Sequence, residues 1–267
     1  MKKYLVILLL FFSNAATADL KLYLFDCGHL SFDDVTNFGL SNDDTDVREL
    51  IVPCYVIEHE DGRMLWDAGL PLDMVSPRAP GATAWYENSF IDQLAAMGLS
   101  PDDFRFAAFS HMHFDHVGAA NEFKDSTLLI QEVEYNAAFE HSEEIPMARE
   151  SLFEELKDSQ HILLKGDYDV FGDGTVKIIS APGHTPGHQA LYLELENYGP
   201  LVLSGDLYHF EATRRLRRTP VFNTDPAQSL LSMDKVEALV KETGAKFWIG
   251  HSLELANSLN LAPAYYD

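Results

Sequence analysis

Residues 20–25, LKLYLF, alternate polar and apolar side chains, the period-two pattern of a strand with one buried face. ELIVPCYVIEH (49–59) and GRMLWDAG (62–69) predict two further strands joined by a turn at Glu60-Asp61-Gly62. The acidic, turn-rich stretch from 31 to 46 predicts a loop. Residues 70–87 hold several Pro and Gly among apolar Met74, Val75, Trp85 and Tyr86, which predicts an irregular segment over a pocket. A helix is expected over Ser89–Met97, stopped by Gly98, and a strand over Phe104–Phe109. Beyond it the pattern predicts a helical stretch around 131–157 and strands near 161–164 and 175–180. The strands QALYLEL and PLVLSGD, a helix near 226–243 and a last strand in KFWIGH complete the series. Strands interleaved with helices make the class α/β. No linker composition divides residues 19–267, which are expected to form one domain.

The first 18 residues stand apart. Two lysines, a short apolar run from Tyr4 to Phe12 and the ending Ala16-Thr17-Ala18 make a secretory leader cleaved after Ala18, so a periplasmic or secreted location is expected. The run is too short for a comfortable bilayer span, which argues against a stable membrane anchor. Charge then sharpens the picture. The chain carries a formal charge of −23, and its first 18 residues hold two lysines and no acid, so the remainder carries −25. Such a field repels nucleic acid and anionic membranes and suits a neutral or cationic small molecule. The two cysteines, Cys27 and Cys54, are compatible either with one disulfide or with two buried thiols.

Candidate chemistry gathers where strands end. SHMHFDHVG (110–118) follows one predicted strand, APGHTPGH (181–188) another, and SGD and IGH follow two more. In an extended segment His111 and His113 face the same side, while Asp115 and His116 diverge toward a second position at the start of a helix. His184, Asp206 and His251 come from distant strand ends. Seven imidazoles and carboxylates exceed what one catalytic zinc takes and suit two ions.

These motifs resemble the metallo-β-lactamase fold superfamily, whose H-x-H-x-D-H…H…D…H series is matched by HMHFDH, His184, Asp206 and His251, with Asp67-Ala68-Gly69 as the preceding D-x-G element. The resemblance covers nearly the whole chain after residue 18. It implies an αβ/βα sandwich of two mixed β-sheets flanked by helices. It also implies that His111, His113 and His184 hold one divalent metal and Asp115, His116 and His251 a second, with Asp206 between them. Zinc is the expected metal, and Mn, Co or Fe suit the same carboxylate-containing set.

An aspartate at 206 is unlike the Cys or Ser usual in true β-lactamases. The 16 residues after His251 are too few for the glutathione-binding region of glyoxalase II. VPCYVIEHEDGRMLWDAGLP, APGHTPGHQALYLEL and SGDLYHFEATRR are similar to the N-acyl-homoserine lactonase group. That resemblance implies a quorum-quenching hydrolase in which a metal-bridging hydroxide attacks the lactone carbonyl and Asp115 shuttles the proton. Other lactones, aryl esters or organophosphates are alternative substrates, a β-lactam a less favoured one, and a binding protein without turnover the alternative from another class. Family members often dimerise, so a homodimer is compatible.

The group's tyrosine three positions after the bridging Asp is replaced by His209, next to Tyr208, and either is a candidate substrate contact. His188 is expected to support the site without ligating. His29, His59, His141 and His161 are expected to be surface or structural. Arg214, Arg215, Arg217 and Arg218 read either as a substrate-facing rim or as partners of nearby acids. Met74, Trp85, Tyr86 and Phe90 read either as acyl-pocket lining or as core.

Overall fold

A computed structural model describes residues 19–74, 78–79, 81–141 and 144–267. The leader expected over residues 1–18 lies outside the described residues, as does Val75. Seven strands form the first sheet: β1 (Lys21–Ser31), β2 (Glu49–His59), β3 (Gly62–Trp66), β4 (Ala84–Trp85), β5 (Phe104–Ala108), β6 (Thr127–Gln131) and β7 (His161–Leu164). Their order is β4-β1-β2-β3-β5-β6-β7. Pairing is antiparallel from β4 to β3 and parallel from β3 to β7. The second sheet contains β8 (Tyr168–Asp169), β9 (Val176–Ser180), β10 (Gln189–Leu195), β11 (Gly199–Leu203) and β12 (Lys246–Trp248), in the order β12-β11-β10-β9-β8. Only its β11–β12 pair is parallel. Both sheets are therefore mixed, as the resemblance implies.

Alternation along the strands explains the layering. Leu24, Tyr55, Met64, Trp66 and Phe106 point inward and meet Ile178, Leu191, Leu203 and Trp248 of the second sheet. Their neighbours Phe25, Val56, Leu65 and Ala107 point outward against helices α1 (Phe90–Ala96) and α2 (Glu132–Glu140). The outer face of the second sheet, through Ile179, Tyr192 and Val202, is covered by Met233 and Val236 of a long helix over Pro226–Thr243. Strands covered on both faces read as nearly continuous apolar runs. The long helix is α4, because a short helix, α3 (Glu211–Leu216), precedes it, and α5 (Leu253–Ala256) follows β12.

Local chemistry sets the ends. The Ser89 side chain accepts from the Asp92 N–H at the start of α1, and Asp225 accepts from Gln228 at the start of α4, with Pro226 in the first turn. The β2–β3 hairpin turns at Glu60-Asp61, with His59 paired to Gly62. The Cys27–Cys54 disulfide ties β1 to β2 across a Cα–Cα distance of 5.8 Å, resolving that alternative.

Two expectations are corrected. The helix expected over 131–157 is confined to α2. The apolar run TLLIQ just before it, for which no element is expected, forms β6, and the polar residues downstream make short 3-10 turns. Nor does a helix begin at Asp115. After β5 the chain turns tightly, with His116 N–H donating to His113 O at 3.0 Å. Gly118 is needed for the close approach of two backbones, since a Cβ there would lie 2.0 Å from the Leu70 carbonyl carbon. That close approach clamps the 110–118 loop onto the Asp67-Ala68-Gly69 turn.

Candidate metal centre

The donors converge. His111 Nε2 lies 2.8 Å from His113 Nδ1, and His184 Nε2 lies 3.1 Å from the same atom. Asp206 Oδ2 is 3.6 Å from His111 Nε2 and 3.2 Å from His184 Nε2. Its other oxygen, Oδ1, is 3.3 Å from His116 Nε2 and 3.0 Å from His251 Nε2. Asp115 Oδ2 completes the second group, 3.9 Å from His116 Nε2 and 3.7 Å from His251 Nε2. All seven residues are buried, and they form two groups with one carboxylate facing both. The sequence-predicted residues are thus brought together from the ends of β5, β9, β11 and β12.

Hydrogen bonds on the far side of each ring decide which nitrogen points inward. The His251 Nδ1–H donates to Ile51 O (2.7 Å), His184 Nδ1–H to Asn223 Oδ1 (2.8 Å) and His116 Nδ1–H to Asp67 Oδ2 (3.0 Å). A carbonyl or carboxylate oxygen only accepts, so Nδ1 carries a proton in each ring and Nε2 is the nitrogen left to face the centre. The other oxygen of Asp67 accepts the Ser110 N–H at 2.6 Å, and Ser110 Oγ bridges the Nδ1 atoms of His111 and His116. His188, expected to support rather than ligate, donates Nδ1–H to Ala181 O. It accepts the Asp206 N–H at 2.9 Å, holding the shared carboxylate's backbone.

Electrostatics agree with a cation site. Burial, then neighbouring imidazoles, hold His111 and His113 well below the ordinary imidazole range, so both are neutral. Burial also pushes His188 down to about 3. Asp206 is pushed up by burial, but the imidazoles of His251, His209 and His116 outweigh that and keep it ionised. For His116 burial acts downward, but the carboxylates of Asp206, Asp67 and Asp115 outweigh it and hold the imidazole well above its ordinary range. Asp206 Oδ1 and His113 Nε2 are buried without a hydrogen-bond partner. Inward lone pairs and orphaned acceptors are costly unless a cation meets them, and imidazole plus carboxylate is the donor chemistry of divalent transition metals. The residues fit such ions.

Four of the donors, His113, Asp115, Asp206 and His251, floor a cavity of about 330 Å³ whose walls include Leu30, Phe38, Leu50, Met74, Phe114 and Phe222. Met74 therefore lines it, whereas Trp85, Tyr86 and Phe90 do not: Trp85 stacks on His29, Tyr86 donates to Leu72 O and Phe90 packs on Phe25. His209 lies in the cavity wall with Nε2 3.1 Å from Asp206 Oδ2. Tyr208, the other candidate contact, is corrected. The backbone there is extended, so adjacent side chains diverge, and Tyr208 is buried against Phe247 on the other side, near Glu237 and Arg214.

The arginine cluster is paired away from the cavity, Arg214 with Glu237 and Arg217 with Asp234, while Arg215 reaches Asp44 O. The cation in the cavity wall is Arg149, above the Phe114 ring, which the sequence did not single out. His59 is buried against Asp173 and Phe171, a structural position far in sequence from the donors. Glu134, Asn223 and the Ile51 carbonyl were also missed, because each is remote in sequence and carries no local motif.

Known proteins give the same picture. The Metallo-beta-lactamase superfamily description matches residues 47–251. N-acyl homoserine lactonase AiiA of Bacillus thuringiensis subsp. kurstaki is 30% identical over 228 residues, covering 81% of this chain and 87% of the relative. N-acyl homoserine lactonase AttM of Azorhizobium caulinodans is 29% identical over 265 residues, covering 93% and 99%. Among solved structures, a quorum-quenching N-acyl homoserine lactone lactonase superposes with a TM-score of 0.76 at 28% identity, over 92% of this chain and 97% of the other. A second, an N-acyl homoserine lactone hydrolase with N-hexanoyl-L-homoserine bound at its catalytic metal center, gives 0.75 at 27%, over 92% and 98%. This chain belongs to the metallo-beta-lactamase superfamily, within its N-acyl homoserine lactonase group.

Proposed function

We propose that this protein is a metal-dependent hydrolase that opens the lactone ring of N-acyl homoserine lactones, using two divalent cations. The observation that carries the reading is Asp206, whose two oxygens face two separate donor groups at the floor of an apolar cavity. His111, His113 and His184 would hold one cation, Asp115, His116 and His251 the other, and Asp206 both.

When bound, the cations supply a water that ionises near neutral pH and an electrophile for the carbonyl oxygen. The chain's own groups do the rest. Asp115 lines the cavity, so its carboxylate orients the attacking water and carries its proton to the leaving ring oxygen. The new C–O bond forms as the ring C–O bond breaks, giving an open hydroxy acid. His209, in the same wall, is the candidate contact for the reacting end of the substrate. Phe38, Phe114 and Phe222 receive the acyl chain and keep bulk water away.

Zinc is the proposed metal, since three imidazoles and a carboxylate suit it. Export with cleavage after Ala18 is proposed from the leader's sequence. A disulfide between Cys27 and Cys54 supports it, because such bonds persist in oxidising compartments. No helix among the described residues is long and apolar enough to cross a membrane. Intact mass of the protein recovered from a periplasmic or culture fraction is expected to begin at Asp19. A pH-stat panel of N-acyl homoserine lactones of graded chain length, beside a β-lactam, an aryl ester and an organophosphate, tests the activity. Lactone opening is expected, and turnover of the β-lactam alone would overturn the reading.

A further inference from the structure

The carboxylate of Glu134 is 1% exposed, lies outside both donor groups and faces the backs of two loops at once. Its Oε1 accepts the Met112 N–H at 3.0 Å, and its Oε2 accepts the Gly187 N–H at 2.7 Å. Met112 sits between His111 and His113, and Gly187 follows His184 by three residues. Both loops that supply the first donor group are therefore gripped by one side chain, which α2 delivers from its first turn. The grip is close: a Cβ at Gly187 would lie 2.5 Å from the Glu134 Cβ and 2.8 Å from its backbone nitrogen.

The second group is held by other means. His116 leans on Asp67 and Ser110, and His251 on the Ile51 carbonyl. Nothing in that set touches Glu134. Two backbone N–H donors that meet two oxygens need a carboxylate, since an amide of the same size offers one acceptor and turns its NH2 on the second donor.

We propose that Glu134 is a positioning residue that sets the distance of His184 from His111 and His113, and so governs affinity at that cation position and not at the other. The inference rests on the two-cation reading above. Supporting groups of this kind change metal affinity by about 10–100-fold.

The test is equilibrium titration of the metal-free protein with Zn2+ against a chromophoric chelator, and with Co2+ followed by its visible absorption. Wild type, Glu134→Gln, and Glu134→Asp, which keeps the charge on a stem one carbon shorter, are compared. His184→Ala and His251→Ala identify which equivalent belongs to which group. In Glu134→Gln, the equivalent lost in His184→Ala is expected to weaken at least tenfold, with its cobalt spectrum altered. The equivalent lost in His251→Ala should stay within about twofold. Glu134→Asp should behave alike, and it carries the test if the Gln variant does not fold. Two unchanged equivalents, or equal weakening of both, would overturn the proposal. Fewer than two equivalents in the wild type would instead overturn the two-cation reading, so the two failures are distinguishable.

Discussion

Asp115 and Asp67 are both aspartates beside the same imidazole, but they have different duties. Asp115 faces the cavity, and its proposed task is to orient water and move a proton. Replacing it with Asn keeps the size and removes the base, so kcat for lactone opening should fall by about 10²–10⁴-fold, measured by pH-stat at saturating substrate. Asp67 faces the protein, accepting from His116 Nδ1 and Ser110 N. Its φ is +60°, a conformation that Asn also tolerates, so Asp67→Asn separates lost hydrogen bonding from backbone strain. Affinity at the His116 position is expected to drop by about 10–100-fold, read by zinc titration, with secondary structure unchanged by circular dichroism. The His111–Asp115 motif was legible because its spacing is local. Tyr208 and His209 could not be separated that way, since only the chain's path after β11 decides which of two neighbours faces the metals.

At the level of elements, the edge of the first sheet next to the cavity is secured by two devices. The Cys27–Cys54 disulfide closes a loop of 27 residues between β1 and β2. Its removal by the double serine variant should lower stability by about 3–4 kcal/mol, seen as a lower urea midpoint with a steeper slope, because the unfolded chain is no longer held compact. The other device is His29, which stacks on Trp85 of β4, with Asp26 at 3.0 Å and Glu49 at 3.2 Å; Arg78 lies over the Trp85 ring and 3.6 Å from Glu49. The Asp26 hydrogen bond outweighs burial and raises His29 above the ordinary 6.5. A raised imidazole favours the charged folded form, so its stabilisation is complete below 6.5 and disappears as pH rises through the higher folded value. His29→Gln should therefore cost more stability at pH 5.5 than at pH 9, measured by urea denaturation at both.

For the whole molecule, the donors come from both sheets, so bound cations join the two halves of the sandwich. Binding to the folded state alone stabilises it by mass action, with 100-fold excess over Kd worth about 2.7 kcal/mol. Prolonged chelation should abolish turnover and lower the melting temperature by several degrees, and added Zn2+ should restore both, as followed by calorimetry and activity on one sample. By itself the sequence determined the α/β class, most strands, the helix near 226–243 and, through its motifs and the family they resemble, the residues of both donor groups. The elements depend on short-range periodicity, and the donor residues are legible because each sits in a short motif at a strand end, however far apart those motifs lie. Only the tertiary structure decided that TLLIQ is a strand, placed by its pairing with β5 and β7, and that the helix after it stops at Glu140. It alone revealed the Asn223 and Glu134 supports, the pairing of the arginines and the turning away of Tyr208. Each depends on which distant segments meet, and contacts between residues far apart in sequence leave no local periodicity to read.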